Sequence, residues 1–397
     1  MTSRTNRFLI FALWLCGLAA AAQFGKISVT FDLLQARYGG GIALMVSVVG
    51  LMGLIFGTTS GLIVQRLAYH RVLIGALATG AVMSALQALN LPYALMMASR
   101  VIEGLSHLGI VVCAPVMIAR AAEPRHMGAA MSLWSSFFGV SFALTAWAGL
   151  PLATAYGPAG LFLVHAGIMA ALAILMIRMA PRFAPVITPI GNLITRHVEI
   201  YRSPFIAAPA LGFVFYTAMY VAVLTILPLM VTGWQRPWLA SGMPLVSIVV
   251  SLTVGVWLLR HFDPVRLVQT GFAVALAAGI WIWLAQDGTL IVPAYLLAGA
   301  TGLVQGSSFA SIPRLNASDD DRTKAAGAIA QMGNLGTTTG TPILAAMTHA
   351  FGFTGVLAFV LPLAIGGLLV PEWLVRRRAK LKAVSISQGS RQSDEPS

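Results

Sequence analysis

Runs of mostly apolar residues, each about twenty long, follow one another along this 397-residue chain with Gly, Pro or charge between them. There are twelve, at roughly 8–29, 41–64, 72–90, 93–118, 127–149, 158–178, 205–231, 241–259, 267–285, 289–312, 325–348 and 355–375. A helix rises 1.5 Å per residue, so about 20 residues cross the roughly 30 Å hydrocarbon core of a bilayer. Hydrophobic residues make up 58% of the chain and charged residues 9%. A soluble domain carries about 25% charged residues. No single water-facing core hides that much apolar surface, so lipid must be the solvent for most of the chain. Each spanning segment must then satisfy its own backbone polar groups, which selects helices. The predicted fold is an all-α polytopic membrane protein with twelve transmembrane helices in two pseudo-symmetric six-helix bundles.

The basic residues test that count. With both termini inside the cell, the inner segments hold Arg66 and Arg71, Arg120 and Arg125, Arg178 and Arg182, Arg260 and Arg266, Arg314 and Arg322, and the run from Arg376 to Lys382. The outer loops hold Arg37 and Arg236. Lys26 and Arg100 remain within spans. Every second loop is basic, which is the positive-inside distribution, and it requires an even number of spans. The N-terminus, with Arg4, Arg7, an apolar run and Ala19–Gln23, also reads as a cleaved signal peptide. Cleavage would leave an odd count, so the run is kept as the first span. The net charge of +13 is then membrane topology. It is spread over short loops with no basic patch interleaved with aromatics, so no nucleic-acid partner is expected.

Residues 179–204 form the longest polar stretch between spans, with Pro181, Pro185 and Pro189. The expected organisation is an N-terminal bundle over 1–178, an inner linker over 179–204, a C-terminal bundle over 205–378 and a disordered tail over 379–397. The two halves echo each other at an offset of about 200 residues. GLIVQRLAYHR after the second span faces GVWLLRHFDPVR after the eighth, EGLS at Glu103–Ser106 faces QGSS at Gln305–Ser308, and GAAMSLW at Gly128 faces GAIAQMG at Gly327. Two parallel six-helix repeats are a transporter design, with the binding site between them near the midplane.

On these motifs the chain resembles the major facilitator superfamily over nearly its whole length. GLIVQRLAYHR is a degraded form of that family's GxxxDRxGRR loop signature: Gly61 and Arg66 match, Gln65 replaces the acid and Ala68 the second glycine. RVIEG at Arg100–Gly104 is similar to the RxxxG signature of the fourth helix. The antiporter signature GxxxGPxxGG has no match in FGVSFALTAWAGLP. The resemblance implies a secondary transporter working by alternating access, and for Arg100 a part in proton coupling.

The fourth span carries the strongest chemistry. Arg100, Glu103, Gly104 and His107 stand at i, i+3, i+4 and i+7 and share one helix face. A charge at the bilayer centre costs roughly 2.5–3.5 kcal/mol on insertion scales, so this face cannot look at lipid. It is read either as an Arg–Glu lock between helices or as a substrate and proton site aimed at the cleft. Glu103 and His107, with Arg100, are the proton-coupling candidates. Lys26, late in the first span, is read as a snorkelling interfacial lysine or a cavity cation. With Arg100 it gives two cations against one acid, which leans toward an anionic substrate. Tyr216, Gln305, Gln331 and Asn334 complete the substrate-binding candidates, as neutral polar groups of the second half. Gly61, Arg66, Arg71, Arg260, Asp263 and Arg266 are candidates for a cytoplasmic gate, with Asp263 pairing the arginines.

Cys16 and Cys113 lie inside apolar runs with no Cys/His cluster, so neither a disulfide framework nor a metal is expected. GLSH at Gly104–His107 sets a serine beside a histidine. Neighbours on a helix point about 100° apart, so they form no nucleophile–base pair, and no enzyme is expected. The sequon Asn316–Ser318 lies in an inner loop and is discounted. The reading is a secondary active transporter of a small solute, proton-coupled, leaning to an anion and to uptake. A proton-driven exporter of a small organic compound is the alternative. The expected partners are the solute, protons and the lipid bilayer, with no cofactor and a monomer. The expected location is the inner membrane of a bacterial cell, with both termini cytoplasmic.

Overall fold

The computed structural model describes residues 5–185, 193–286 and 288–393. Part of the expected linker, 186–192, and residues 394–397 of the expected tail lie outside them. Among the described residues the regular structure is helical, with no strand.

The first half is built from α1 (Arg7–Val29), α2 (Phe31–Tyr38), α3 (Ile42–Ser47), α4 (Gly50–Leu67), α5 (Tyr69–Gln87), α6 (Tyr93–Ala121), α7 (Pro124–Ser135), α8 (Phe137–Leu144) and α9 (Leu150–Met179). Helix α10 (Leu193–Arg202) lies between the halves in sequence. The second half holds α11 (Ala208–Ile226), α12 (Gln235–Val250), α13 (Val256–Leu259), α14 (Pro264–Leu284), α15 (Ile291–Leu315) and α16 (Asp319–Ser393). Local chemistry sets several boundaries. Asn6 Oδ1 accepts from the Leu9 amide at 3.0 Å to cap α1, and Asp263 Oδ1 accepts from the Val265 amide at 2.9 Å to cap α14, with Pro264 at the first position, where its missing N–H costs nothing.

Nine stretches of the described residues are long and apolar enough to cross a membrane. Two of them, Phe137–Met179 and Asp321–Leu381, are kinked at Gly157 (φ 72°) and Gly352 (φ 55°). Those backbone angles suit glycine, because a Cβ would crowd the carbonyl. Both glycines lie in gaps between the spans read from the sequence. Helix α15, rich in Gly and Ser, is 25 residues long and stands outside the nine. Helix α16 runs on to Ser393, so residues 379–393 are helical where a disordered tail is expected. The run RRRAKLKA is made of strong helix formers, and a preceding span supplies the costly nucleus.

Two apolar cores result. One lies within the first half, among α1, α5, α6 and α9, and includes Leu13, Cys16, Leu73, Leu77, Ile110 and Met169. The other fills the second half and extends across the seam to Phe24, Ile27, Met45, Val49 and Phe142 of the first. Small residues allow the closest helix contacts. A Cβ on Gly340 of α16 would sit 2.0 Å from the Ala218 carbonyl oxygen of α11. One on Gly104 of α6 would sit 2.6 Å from the Val49 carbonyl oxygen. The glycine of the RVIEG motif thus has a packing reason: it lets the Arg100–Glu103 turn lie against the α3–α4 joint.

Candidate functional site

Helix α6 brings Ser99, Arg100, Glu103 and His107 inward along one face, all of them buried. Glu103 lies ten residues from Tyr93 at the helix start, about 15 Å along the axis. Lys26 of α1 meets it there, although α1 ends at Val29. Helix α2 carries the chain on past Thr30 to Tyr38, so Lys26 is well inside the helical path. It is fully buried, and the snorkelling alternative fails.

These groups form one polar cluster inside the first half. Lys26 Nζ donates to Glu103 Oε1 at 2.6 Å and also to Ser84 Oγ of α5. Arg100 Nη1 donates to Glu103 Oε2, and Arg100 Nε donates to the Met45 carbonyl at 2.9 Å. Gln87 Nε2 of α5 donates to Glu103 Oε2 at 2.9 Å and to Ser99 Oγ at 3.2 Å. The Lys26 ammonium stands 5.3 Å from the centre of the Phe162 ring of α9. Lys26, Arg100 and Glu103 are all 0% exposed. Isolated buried charges cost several kcal/mol each, about 2.5–3.5 on insertion scales. Here opposite charge, hydrogen bonds from α1, α3, α5 and α6, and the Phe162 ring of α9 offset that cost.

The balance is incomplete in one respect. Two cations face one carboxylate, a net charge of +1 at zero exposure, and Arg100 Nη2 has no hydrogen-bond partner. A guanidinium carries five donors, and each left unmet inside a protein is costly.

His165 joins the cluster through Ser84, a link the sequence did not reveal. His165 Nε2 donates to the Ala19 carbonyl at 2.9 Å, which leaves Nδ1 to accept from Ser84 Oγ at 2.6 Å. One hydroxyl proton cannot also serve Glu103 Oε1 at 3.4 Å, and the shorter contact takes it. The chain of bonds then runs Arg100–Glu103–Lys26–Ser84–His165. His107 stands apart: its Nδ1 donates to the Ala20 carbonyl at 3.1 Å, and no hydrogen bond joins it to Glu103. Sequence signals existed for the missed groups. Ser84 and Gln87 are three apart in one apolar run, as are Arg100 and Glu103 in another. Single hydroxyls and amides in such runs are ordinary, however, and nothing in the order of residues joins 84 to 165.

The cluster's hydrogen-bond partners all come from the first half, and further along the same face of α6 the His107 ring reaches the aromatic rings of the seam. Aromatic rings line the seam. His107 meets Phe24 edge-on at 5.0 Å, Phe24 lies 5.7 Å from Phe138, Phe138 lies 6.3 Å from Tyr220, and Tyr220 stacks on Tyr216 at 5.3 Å. Rings thus run from α6 across to α11.

The other candidates do not converge with these. Gln331 of α16 donates to the Leu54 carbonyl of α4 at 3.1 Å and accepts from the Tyr201 hydroxyl of α10 at 2.8 Å. It ties the linker helix to both halves. Burial pushes the Tyr201 phenol up to about 12, so it stays a donor at any physiological pH. Asn334 donates to the Ala330 carbonyl at 2.7 Å and packs where Gly53 of α4 has no side chain. Gln305 is half-buried on α15. Among the gate candidates, Gly61 faces open space, Arg66 is half-buried near the end of α4, and Arg71 and Arg260 are exposed. Asp263 does not join them. Its Oδ1 caps α14, and its Oδ2 takes Arg314 Nε of α15 at 3.3 Å. An aspartate one residue before a helix satisfies nearby amides first, which is why the expected pairing is not made. An ion pair that does cross the halves, Asp32 of α2 with Arg236 of α12, lies at the opposite end of the molecule.

A helical protein built to cross a membrane many times, in two halves around an aromatic seam with a buried charge cluster, is the architecture of a transporter. The chain belongs to the Major Facilitator Superfamily, whose family model matches residues 13–329. No curated protein matches it in sequence. Its fold is similar to that of the human organic anion transporter MFSD10 (TETRAN), with a TM-score of 0.67 at 15% identity over 92% of this chain and 98% of that one. At that identity the likeness concerns the fold. Membership of that family indicates a transporter of small solutes.

Proposed function

We propose that this protein is a proton-coupled secondary transporter that accumulates a small anionic solute by alternating access. The observation that carries the reading is the Lys26–Glu103–Arg100 cluster, which holds one positive charge in excess and an unpartnered guanidinium donor at zero exposure. Protonation of Glu103 would raise that excess to two and release both cations. An anion arriving from the seam would restore the balance. Proton and anion binding would thus favour each other, which is the linkage that symport requires. His107 and the Tyr216–Tyr220 pair, lying on the seam, would form the path between solute and cluster. The anion preference rests on this charge count and not on the likeness to an organic anion transporter.

Twelve spans remain the proposed count. It is supported by the kinks at Gly157 and Gly352 and by the length of α15. The distribution of basic loops supports both termini in the cytoplasm.

The test is transport into proteoliposomes under an imposed inward proton gradient, with carboxylates and inorganic anions offered against cations. Wild type should accumulate an anion. Glu103→Gln in the Lys26→Met background should keep anion counterflow but lose gradient-driven accumulation. Full coupling in that variant would refute the assignment of the proton site, and transport of cations alone would refute the anion preference. Net extrusion would replace uptake with export.

A further inference from the structure

A second concentration of charge lies far from the cluster, at the end of the second half that carries its basic loops. A crevice of about 670 Å³ opens there between the start of α14, the end of α15 and the last part of α16. Its charged walls are Arg266, Arg314 and Arg378 against Asp263 and Glu372. Both acids are already engaged. Asp263 caps α14 and pairs with Arg314 at 3.3 Å, while Glu372 pairs with Arg376 at 2.8 Å. Neither Arg266 nor Arg378 lies within ion-pair distance of a carboxylate among the described residues, and Asp263, already paired with Arg314, acts on Arg378 only at longer range. Arg378 is 7% exposed, and its Nη1 donates to the Pro204 carbonyl at 3.0 Å. A narrow extension of about 20 Å³ shares Val265, Leu315 and Arg378 with the crevice and reaches Ser308, whose buried hydroxyl has no partner. The α14 N-terminus adds its partial positive charge to the same wall.

Large apolar side chains frame this crevice at the membrane boundary. Phe262, on its wall, is 53% exposed, and Trp373, next to Glu372 in the chain with the Arg377 guanidinium 5.4 Å from its ring centre, is 53% exposed. Tryptophan at such a position marks the headgroup level of a bilayer. We propose that the crevice holds the phosphate of an anionic phospholipid, with Arg266 and Arg378 as its ligands and the acyl chains lying along Phe262 and Trp373. A zwitterionic lipid brings its own cation and gains less from this wall. Basic pockets between spanning helices on the positive side are suited to such headgroups.

Binding is to be read on the full-length protein in a neutral detergent, by thermal stabilisation and native mass spectrometry. The probes are phosphatidylglycerol, phosphatidylcholine and inorganic phosphate. Phosphatidylglycerol should bind and stabilise, and the other two should not. The exposed Arg266→Gln should weaken phosphatidylglycerol binding about fivefold, as expected for one basic contact near a surface. Arg125→Gln, an exposed arginine of the first half, should leave it unchanged. Equal binding of phosphatidylcholine overturns the proposal, as does wild-type affinity in Arg266→Gln or an equal loss in Arg125→Gln. Stabilisation by inorganic phosphate as strong as by phosphatidylglycerol overturns the lipid assignment. Arg266 is exposed and hydrogen-bonds no other described side chain, so the variant is expected to fold, and lipid-free thermal stability equal to wild type checks that it has. None of these readouts involves transport.

Discussion

Removing the charge of Glu103 is the perturbation that tests the buried cluster most directly. In the folded protein its carboxylate accepts from Lys26 at 2.6 Å, from Gln87 at 2.9 Å and from Arg100, all with no solvent contact. Glu103→Gln leaves Lys26 and Arg100 with no anion between them and turns a net charge of +1 into +2. Breaking a buried ion pair from one side costs about 3–5 kcal/mol, because the remaining charge is uncompensated. Lys26→Met has the opposite effect on the balance. It leaves the Arg100–Glu103 pair neutral and gives up the bonds to Glu103 and Ser84, at about 1–2 kcal/mol net, because Arg100 and Gln87 still hold the carboxylate. Together the two substitutions restore a net charge of +1, so the double variant should be more stable than Glu103→Gln alone by about 2 kcal/mol. The assay is reversible unfolding in mixed micelles with increasing sodium dodecyl sulfate, read by tryptophan fluorescence. The expected order of stability is wild type, Lys26→Met, the double variant and Glu103→Gln. A Glu103→Gln protein within about 1 kcal/mol of wild type would refute the argument. So would a double variant no more stable than Glu103→Gln, since charge balance would then not govern the cluster.

Two further outcomes follow from backbone geometry. Ala68 joins α4 to α5 with φ 70° and is fully buried, in the left-handed region that costs an L-residue about 1–2 kcal/mol. Ala68→Gly should therefore raise stability by about 1 kcal/mol, seen as a higher thermal midpoint in detergent, and a lower midpoint would show the angle to be unstrained. Gly340→Ala would drive a Cβ to within 2.0 Å of the Ala218 carbonyl. It should part α11 from α16 at a cost of about 1–3 kcal/mol, measured by the same unfolding assay, and an unchanged midpoint would mean the two helices have room to move.

The spans themselves were legible in the order of residues. Helices α1 and α6 begin and end within a few residues of the runs at 8–29 and 93–118. The breaks at Gly157 and Gly352 fall in the gaps that separate spans. Hydrophobic transfer decides these features locally, one segment at a time, so a single sequence suffices. The spacing of Arg100, Glu103 and His107 also placed three groups on one face, because helical period alone determines that.

What those groups touch was decided by packing. Lys26 looked like an interfacial residue because the apolar run stops at Val29, and only the continuation through α2 set it deep enough to reach Glu103. Ser84 and His165 were indistinguishable from ordinary helix residues until α5 and α9 were laid beside α1. Asp263 spent its charge on its own helix and on Arg314, not on the gate arginines. Hydrophobicity is a property of a segment, and it determined which parts of this chain enter the membrane. Charge compensation is a property of pairs brought together from distant segments, and only the tertiary structure decided that one carboxylate answers two buried cations.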